Sequence, residues 1–268
     1  MNKSKRIFYY DFLRAMAIVG IVFCHASISF VTTGIHSPYF HISAFFDCFR
    51  DFCIPIFVML SGALLIGKKD SFIDFFKKRL SRIFIPFIFW LIIYILYSFY
   101  FIIHRIDIGN AIDILFGTPG TLGVTFWFIW MITICYFGIF IINKILDFGS
   151  KRFDDFEVNF INILTVLAVV LMGIYQFWHF KTIYGYFCSF MIYIIMGYFL
   201  ATRDYLARKI NVKYIVIATA IIFLGLYNYY IFAYVVPNSI LNNNFTYLGY
   251  FTCFLFILSI TVFLLFVV

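Results

Sequence analysis

The chain has 268 residues, 65% hydrophobic, 24% aromatic and only 12% charged, against about 25% charged in soluble domains. With a mean hydropathy of +1.02, this excludes a soluble fold carrying one anchor and predicts an all-α, polytopic transmembrane helix bundle, a single domain over 1–268. The formal net charge of +8 is spread over separate short loops without a continuous basic stripe or stacking platform, which excludes nucleic acid and points to anionic membrane lipid as the partner.

Forty Phe and twenty Tyr beside many Ile, Asn and Lys look like the codon usage of a low-GC microbe. Hydropathy predicts eight spans, at 8–31, 44–66, 83–103, 124–146, 159–178, 183–201, 213–234 and 246–268. Turn residues punctuate several gaps: Thr33-Gly34, Ser37-Pro38, Thr118-Pro119-Gly120, Pro237 and Asn242 to Asn244. The start through Lys3, Lys5 and Arg6 is charged like a signal peptide's. The apolar run behind it is too long and lacks a small-residue cleavage site, so it reads as a permanent first span.

That span carries Asp11, Arg14 and His25. A cation inside a span costs about 2.5–3.5 kcal/mol, which makes each such residue a functional candidate. Eleven residues at 100° each come to three turns plus roughly 20°, so Arg14 and His25 share one helix face, about 16 Å apart along the axis. Asp11 and Ile18 lie on the same stripe, with Asp11 spaced to pair with Arg14. This face is expected to look at other helices or a wet cavity instead of lipid.

The second span holds Asp47, Arg50 and Asp51, then Pro55 and Ser61-Gly62. The charges read either as an interfacial cluster or as a carboxylate that orients His25 for acid–base work. Pro55 and Gly62 suit a kinked helix and close helix approach. The third helix begins in the segment Phe75 to Pro86, with Lys77, Lys78, Arg79 and Arg82. This basic mouth is either a cytoplasmic anchor or a phosphate site, since guanidinium groups bind phosphate bidentately. Trp127 opens the fourth span, where an aromatic belt residue and a substrate contact are both open readings.

His36, His41, His104 and His179 fall in or beside outer loops and read as solvated. Cys24, Cys48, Cys53, Cys135, Cys188 and Cys253 include no C-x-x-C pair and no metal-ligand spacing, so they read as small buried hydrophobes and no metal site is expected. Nucleophile elbow, P-loop, H-E-x-x-H and dinucleotide turn are all missing from the sequence. Sixteen Lys and Arg residues, from Lys3, Lys5 and Arg6 through 68–82 and 144–152 to 203–213, fall on one side against Arg105 and Lys181 on the other. The N-terminus is therefore expected in the cytoplasm. The last span runs to Val268 with no polar tail, as in a chain shortened from a longer parent.

Three ordered blocks carry a resemblance. Arg14 with ten residues to His25 resembles the R-x10-H signature of the integral-membrane acyltransferase-3 family. The block Ile54–Gly62 (IPIFVMLSG) is similar to that family's second helix, and Lys78–Pro86 (KRLSRIFIP) to its basic entry into helix three. Trp127-Phe128 resembles a later W-F block. The likeness is in residues 6–130, with only hydropathy beyond. Such proteins are similar to O-acetyltransferases of bacterial surface polysaccharides and usually have about ten spans, two more than the eight here.

The resemblance implies a membrane O-acyltransferase in a microbial plasma membrane. It implies that His25 is the catalytic imidazole, that Arg14 is essential beside it, and that Arg79 and Arg82 bind acyl-CoA. The co-substrate would be acyl-CoA, acetyl by default, with no tightly bound cofactor, and the acceptor a glycan hydroxyl. Two rivals stand beside it: a glycan or lipid exporter using Asp11, Arg14 and His25 as a relay, and a non-catalytic subunit of a polysaccharide machine. Spans five to eight carry no acidic residue for a longer relay.

Overall fold

Ser71 and Asp107 show how this chain begins its helices. Each accepts the backbone N–H three residues on, Ser71 from Asp74 at 3.2 Å and Asp107 from Asn110 at 3.2 Å, which satisfies a donor that a helix start leaves unpaired. The Ser71 hydroxyl also donates to the Asp74 carboxylate at 2.8 Å, adding negative charge at the positive end of the helix. A computed structural model of the chain describes residues 8–31, 39–103, 107–118, 122–178, 183–202, 212–235 and 253–267.

Among the described residues the regular structure is helical throughout, as the sequence predicts. The α-helices are α1 (Phe8–Val31), α2 (Phe40–Leu65), α3 (Phe72–Tyr97), α4 (Ile108–Phe116), α5 (Trp127–Gly149), α6 (Phe156–Trp178), α7 (Ile183–Ala201), α8 (Val212–Val235) and α9 (Cys253–Val267). A π-helical turn, Ser98–Ile103, extends α3, and a 3-10 turn, Val124–Phe126, leads into α5. Each expected span overlaps a helix, with residues 246–252 of the last one outside the described residues. Two differences stand out. Helix α3 starts at Phe72, three residues before the expected helix start at Phe75 and eleven before the expected span at 83, because Ser71 caps polar first turns that precede the apolar stretch. Helix α4 was not expected at all.

The described residues divide into two units, Met1–Ile66 with Asp155–Val268, and Gly67–Asp154. In the first, α2 is the hub and packs on α1, α7, α8 and α9. Its Phe52–Ile56 and Val58–Leu60 are buried. Glycine allows α2 and α7 to touch backbone to backbone: a Cβ on Gly62 would lie 1.9 Å from the Ile194 carbonyl oxygen, and one on Gly197 2.1 Å from that of Met59. This close approach is the role expected of Gly62. Helix α1 lays Tyr10, Leu13 and Ala17 into the core, with Tyr10 stacked on Phe263 of α9.

In the second unit, α3 packs on α4 and α5. Phe87, Ile114 and Phe126 form a core around which Phe84, Tyr94 and Trp130 gather. The Trp130 indole donates to the Leu115 carbonyl at 2.9 Å, and Gly117, at φ 73°, ends α4 in the left-handed region that glycine tolerates. Residues Phe72–Ile102 and Trp127–Gly149 are each long and apolar enough to cross a membrane. The outward Ile85, Ile88, Phe89 and Ile92 of α3 are exposed, the face a helix in hydrocarbon carries.

Lys3, Lys5, Arg6, the turns at 33–38 and 237–244, Pro119-Gly120, Arg105, Lys181, Arg203, Arg208, Lys209, His36, His104 and His179 lie outside the described residues. So do the side chains of Cys24, Cys48, Cys188, Cys253, Asp47, Arg50 and Asp51, whose backbones belong to helices. Cys53 and Cys135 are buried and outside any disulfide, as expected of small hydrophobes.

Candidate functional site

Helix α1 carries its guanidinium and imidazole beside its packed face, with its acid further round. The buried positions Tyr10, Leu13, Ala17 and Gly20 define that face. At 100° per residue, Arg14 and His25 lie about 80° and 100° round from its centre, roughly 20° apart from each other. They border the packing instead of entering it. Arg14 Nη1 donates to Asp11 Oδ1 at 3.4 Å, the pairing expected one turn apart, with the two side chains 40% and 34% exposed. Ile18 and His25 on the same stripe are exposed. A pair this open contributes about 0.2–1 kcal/mol, so its chief effect is to steer the guanidinium.

The second cluster lies at the start of α3. Arg79 Nη2 donates to Asp70 Oδ2 at 3.0 Å and Nη1 to the Phe75 carbonyl at 2.8 Å, while the guanidinium carbon rests 3.9 Å from the Phe75 ring centroid. Lys78 Nζ donates to the other Asp70 oxygen at 3.3 Å. Burial pushes the Asp70 carboxyl upward, but the hydrogen bonds and charges of Arg79 and Lys78 outweigh it and hold the group below the usual carboxylate range. Arg82, one turn on, is exposed and makes no hydrogen bond or ion pair among the described residues. Lys77 is likewise exposed.

The loop that carries Asp70 is itself pinned to α5. The Gly67 N–H donates to the buried Asn143 Oδ1 at 2.8 Å, and Lys69 lies 3.8 Å from Asp147. Sequence reasoning missed Asp70 and Asn143. Asp70 stands in a loop, where helical spacing gives no signal. Asn143 was concealed inside an apolar span, where a lone polar residue was the available clue.

Of the remaining candidates, Trp127 is the first residue of α5, half-buried and edge-on to Phe128. His41 is exposed. The structure brings Asp11 to Arg14, and Arg79 to Lys78 through Asp70. Asp11, Arg14 and His25 belong to the first unit, and Arg79, Arg82 and Trp127 to the second.

A helical bundle with two helices long and apolar enough to span hydrocarbon, and charged residues on a further apolar helix, has the features of a membrane protein. A family model for an acyltransferase domain matches residues 7–268, nearly the whole chain, and the protein belongs to that family, acyltransferase-3. The match extends past residue 130, where the sequence blocks end. No curated protein and no solved structure matches the chain.

Proposed function

We propose that this acyltransferase moves an acyl group, acetyl by default, from cytoplasmic acyl-CoA to a hydroxyl of a cell-surface or lipid-linked glycan. It does so in a microbial plasma membrane with its N-terminus in the cytoplasm. The family match over residues 7–268 carries this reading. The basic residues at 68–82 and 144–152, the side expected to be cytoplasmic, support the orientation.

His25 takes the proton from the acceptor hydroxyl. The hydroxyl oxygen attacks the thioester carbonyl, the coenzyme A thiolate leaves, and the imidazolium returns the proton to it. In the covalent variant the imidazole first carries the acyl group and then yields it to the same hydroxyl. Arg14, about 16 Å away along α1, is too far to touch the reacting atoms when His25 does. It is steered by Asp11 and serves as a cation for anionic substrate groups within the first unit; in the second unit, Arg79 and Arg82 supply phosphate-binding chemistry for the donor. Asp47, Arg50 and Asp51 are left for acceptor contact or for orienting the imidazole, and Trp127 of the second unit for substrate contact.

The test is transfer from radiolabelled acetyl-CoA to surface glycan by the purified protein in lipid nanodiscs. His25→Ala and Arg14→Ala are expected to abolish transfer while leaving the protein folded. Wild-type rates in both variants would remove the assignment.

A further inference from the structure

The Asp70 cluster has a property that a simple phosphate site lacks: its best cation is already occupied. Arg79 is only 13% exposed, against 61% for Lys78 on the same carboxylate. Its planar fork is spent on Asp70 and on the Phe75 carbonyl, and one ring face covers its guanidinium. Its Nε is buried with no hydrogen-bond partner, so this conformation leaves that donor unsatisfied. Asp70 offers Arg79 and Lys78 one oxygen each, the same acceptor pattern that two oxygens of a phosphate would present.

We propose that Asp70 is an internal stand-in for the donor's phosphates, holding Arg79 and Lys78 together until a polyphosphate displaces it. The inference rests on the reading of Arg79 and Arg82 as the donor-phosphate cations, and it adds a residue that sets donor affinity. Arg82, exposed and unpaired among the described residues, makes the first contact. Arg79 then leaves Asp70 and brings its fork and its unused Nε to the ligand. Because the Asp70 pairs are partly exposed, the latch is weak and readily exchanged. The loop stays in place during the exchange because the Gly67 N–H bond to Asn143 anchors it independently of Asp70.

The experiment measures coenzyme A binding to the full chain by calorimetry, together with KM and kcat for acetyl-CoA. The variants are Asp70→Asn, Asp70→Ser, Asp70→Glu, Arg79→Gln, Arg82→Gln and Asp70→Asn combined with Arg79→Gln. Either neutral variant is expected to bind coenzyme A roughly two- to fivefold more tightly, the range set by a partly exposed ion pair. KM falls in proportion and kcat stays unchanged. Asp70→Glu keeps wild-type affinity, and the gain disappears when Arg79 is absent, as coupled residues require. Unchanged or weaker binding in Asp70→Asn and Asp70→Ser overturns the latch, and so does a gain that survives Arg79→Gln. Those results leave the donor reading intact if Arg79→Gln and Arg82→Gln each weaken binding. Coenzyme A binding that ignores both arginines removes the donor reading and the latch together.

Discussion

Adding one methyl group at the α2–α7 crossing should separate these helices. In Gly62→Ala the new Cβ would stand 1.9 Å from the Ile194 oxygen and 2.7 Å from its carbonyl carbon. Ordinary contact begins near 3.4 Å, so the backbones must part by about 1.5 Å. Neither atom belongs to a flexible side chain that could swing away. Overpacking of this kind costs about 1–3 kcal/mol, and more where backbone must move. At roughly 2–4 °C per kcal/mol for a chain of this size, thermal unfolding in detergent should fall by about 2–12 °C. Gly197→Ala, with its Cβ 2.1 Å from the Met59 oxygen, should behave alike. Gly225→Ala on α8 meets nothing within 4 Å and should gain up to about 1 kcal/mol from helix propensity. Equal melting temperatures for Gly62→Ala and wild type, or a larger loss in Gly225→Ala than in Gly62→Ala, would refute the backbone contact.

Two further outcomes follow from the loop before α3. The Asp70 carboxyl is held below its ordinary value, so its contribution to stability is present above the unfolded pKa of about 3.9 and is lost as pH falls through the lower folded value. The melting difference between wild type and Asp70→Asn should therefore be constant near neutrality and shrink only below about pH 4. Asn143→Ala removes the acceptor for the Gly67 N–H and should cost about 0.5–1.5 kcal/mol, read from the melting temperature.

Much of the helical order was legible because long apolar runs declare themselves. The span expected at 8–31 coincides with α1. Helix α4 escaped because nine residues are shorter than any hydropathy window, even though Asp107 and Gly117 mark its ends. The shared stripe of Arg14 and His25 follows from helical geometry alone. Which face of α1 is buried does not, because Leu13 and Ala17 on one side and Val19, Val22 and Phe23 on the other are equally apolar. Only the partner helices α2 and α9 distinguish them. The basic entry to α3 was visible as charge, but the carboxylate that occupies it was not, since Asp70 reaches Arg79 across the turn of a loop.

The position of the α1 stripe makes a claim about water that substitution can test. Ile18, between Arg14 and His25 on the stripe, and Val19, about 100° round from it, are similarly exposed at 48% and 53%. Exposure therefore does not separate them, but their neighbours do: Ile18 has a guanidinium and an imidazole on its own face, whereas Val19 lies among Phe12 and Phe23. If the charged flank is hydrated and the apolar side meets lipid, cysteine reactivity must differ, because the thiolate that reacts forms only where water and positive charge stabilise it. In a background without other cysteines, Ile18→Cys should react with a charged, water-soluble thiol reagent in intact vesicles and Val19→Cys should not. Coenzyme A should slow the Ile18→Cys reaction if the donor lies along this face. An Ile18→Cys thiol as unreactive as Val19→Cys would mean that Arg14 and His25 border hydrocarbon, and a helix that loses about 2.5–3.5 kcal/mol to a lipid-facing cation would need some other reason to keep it.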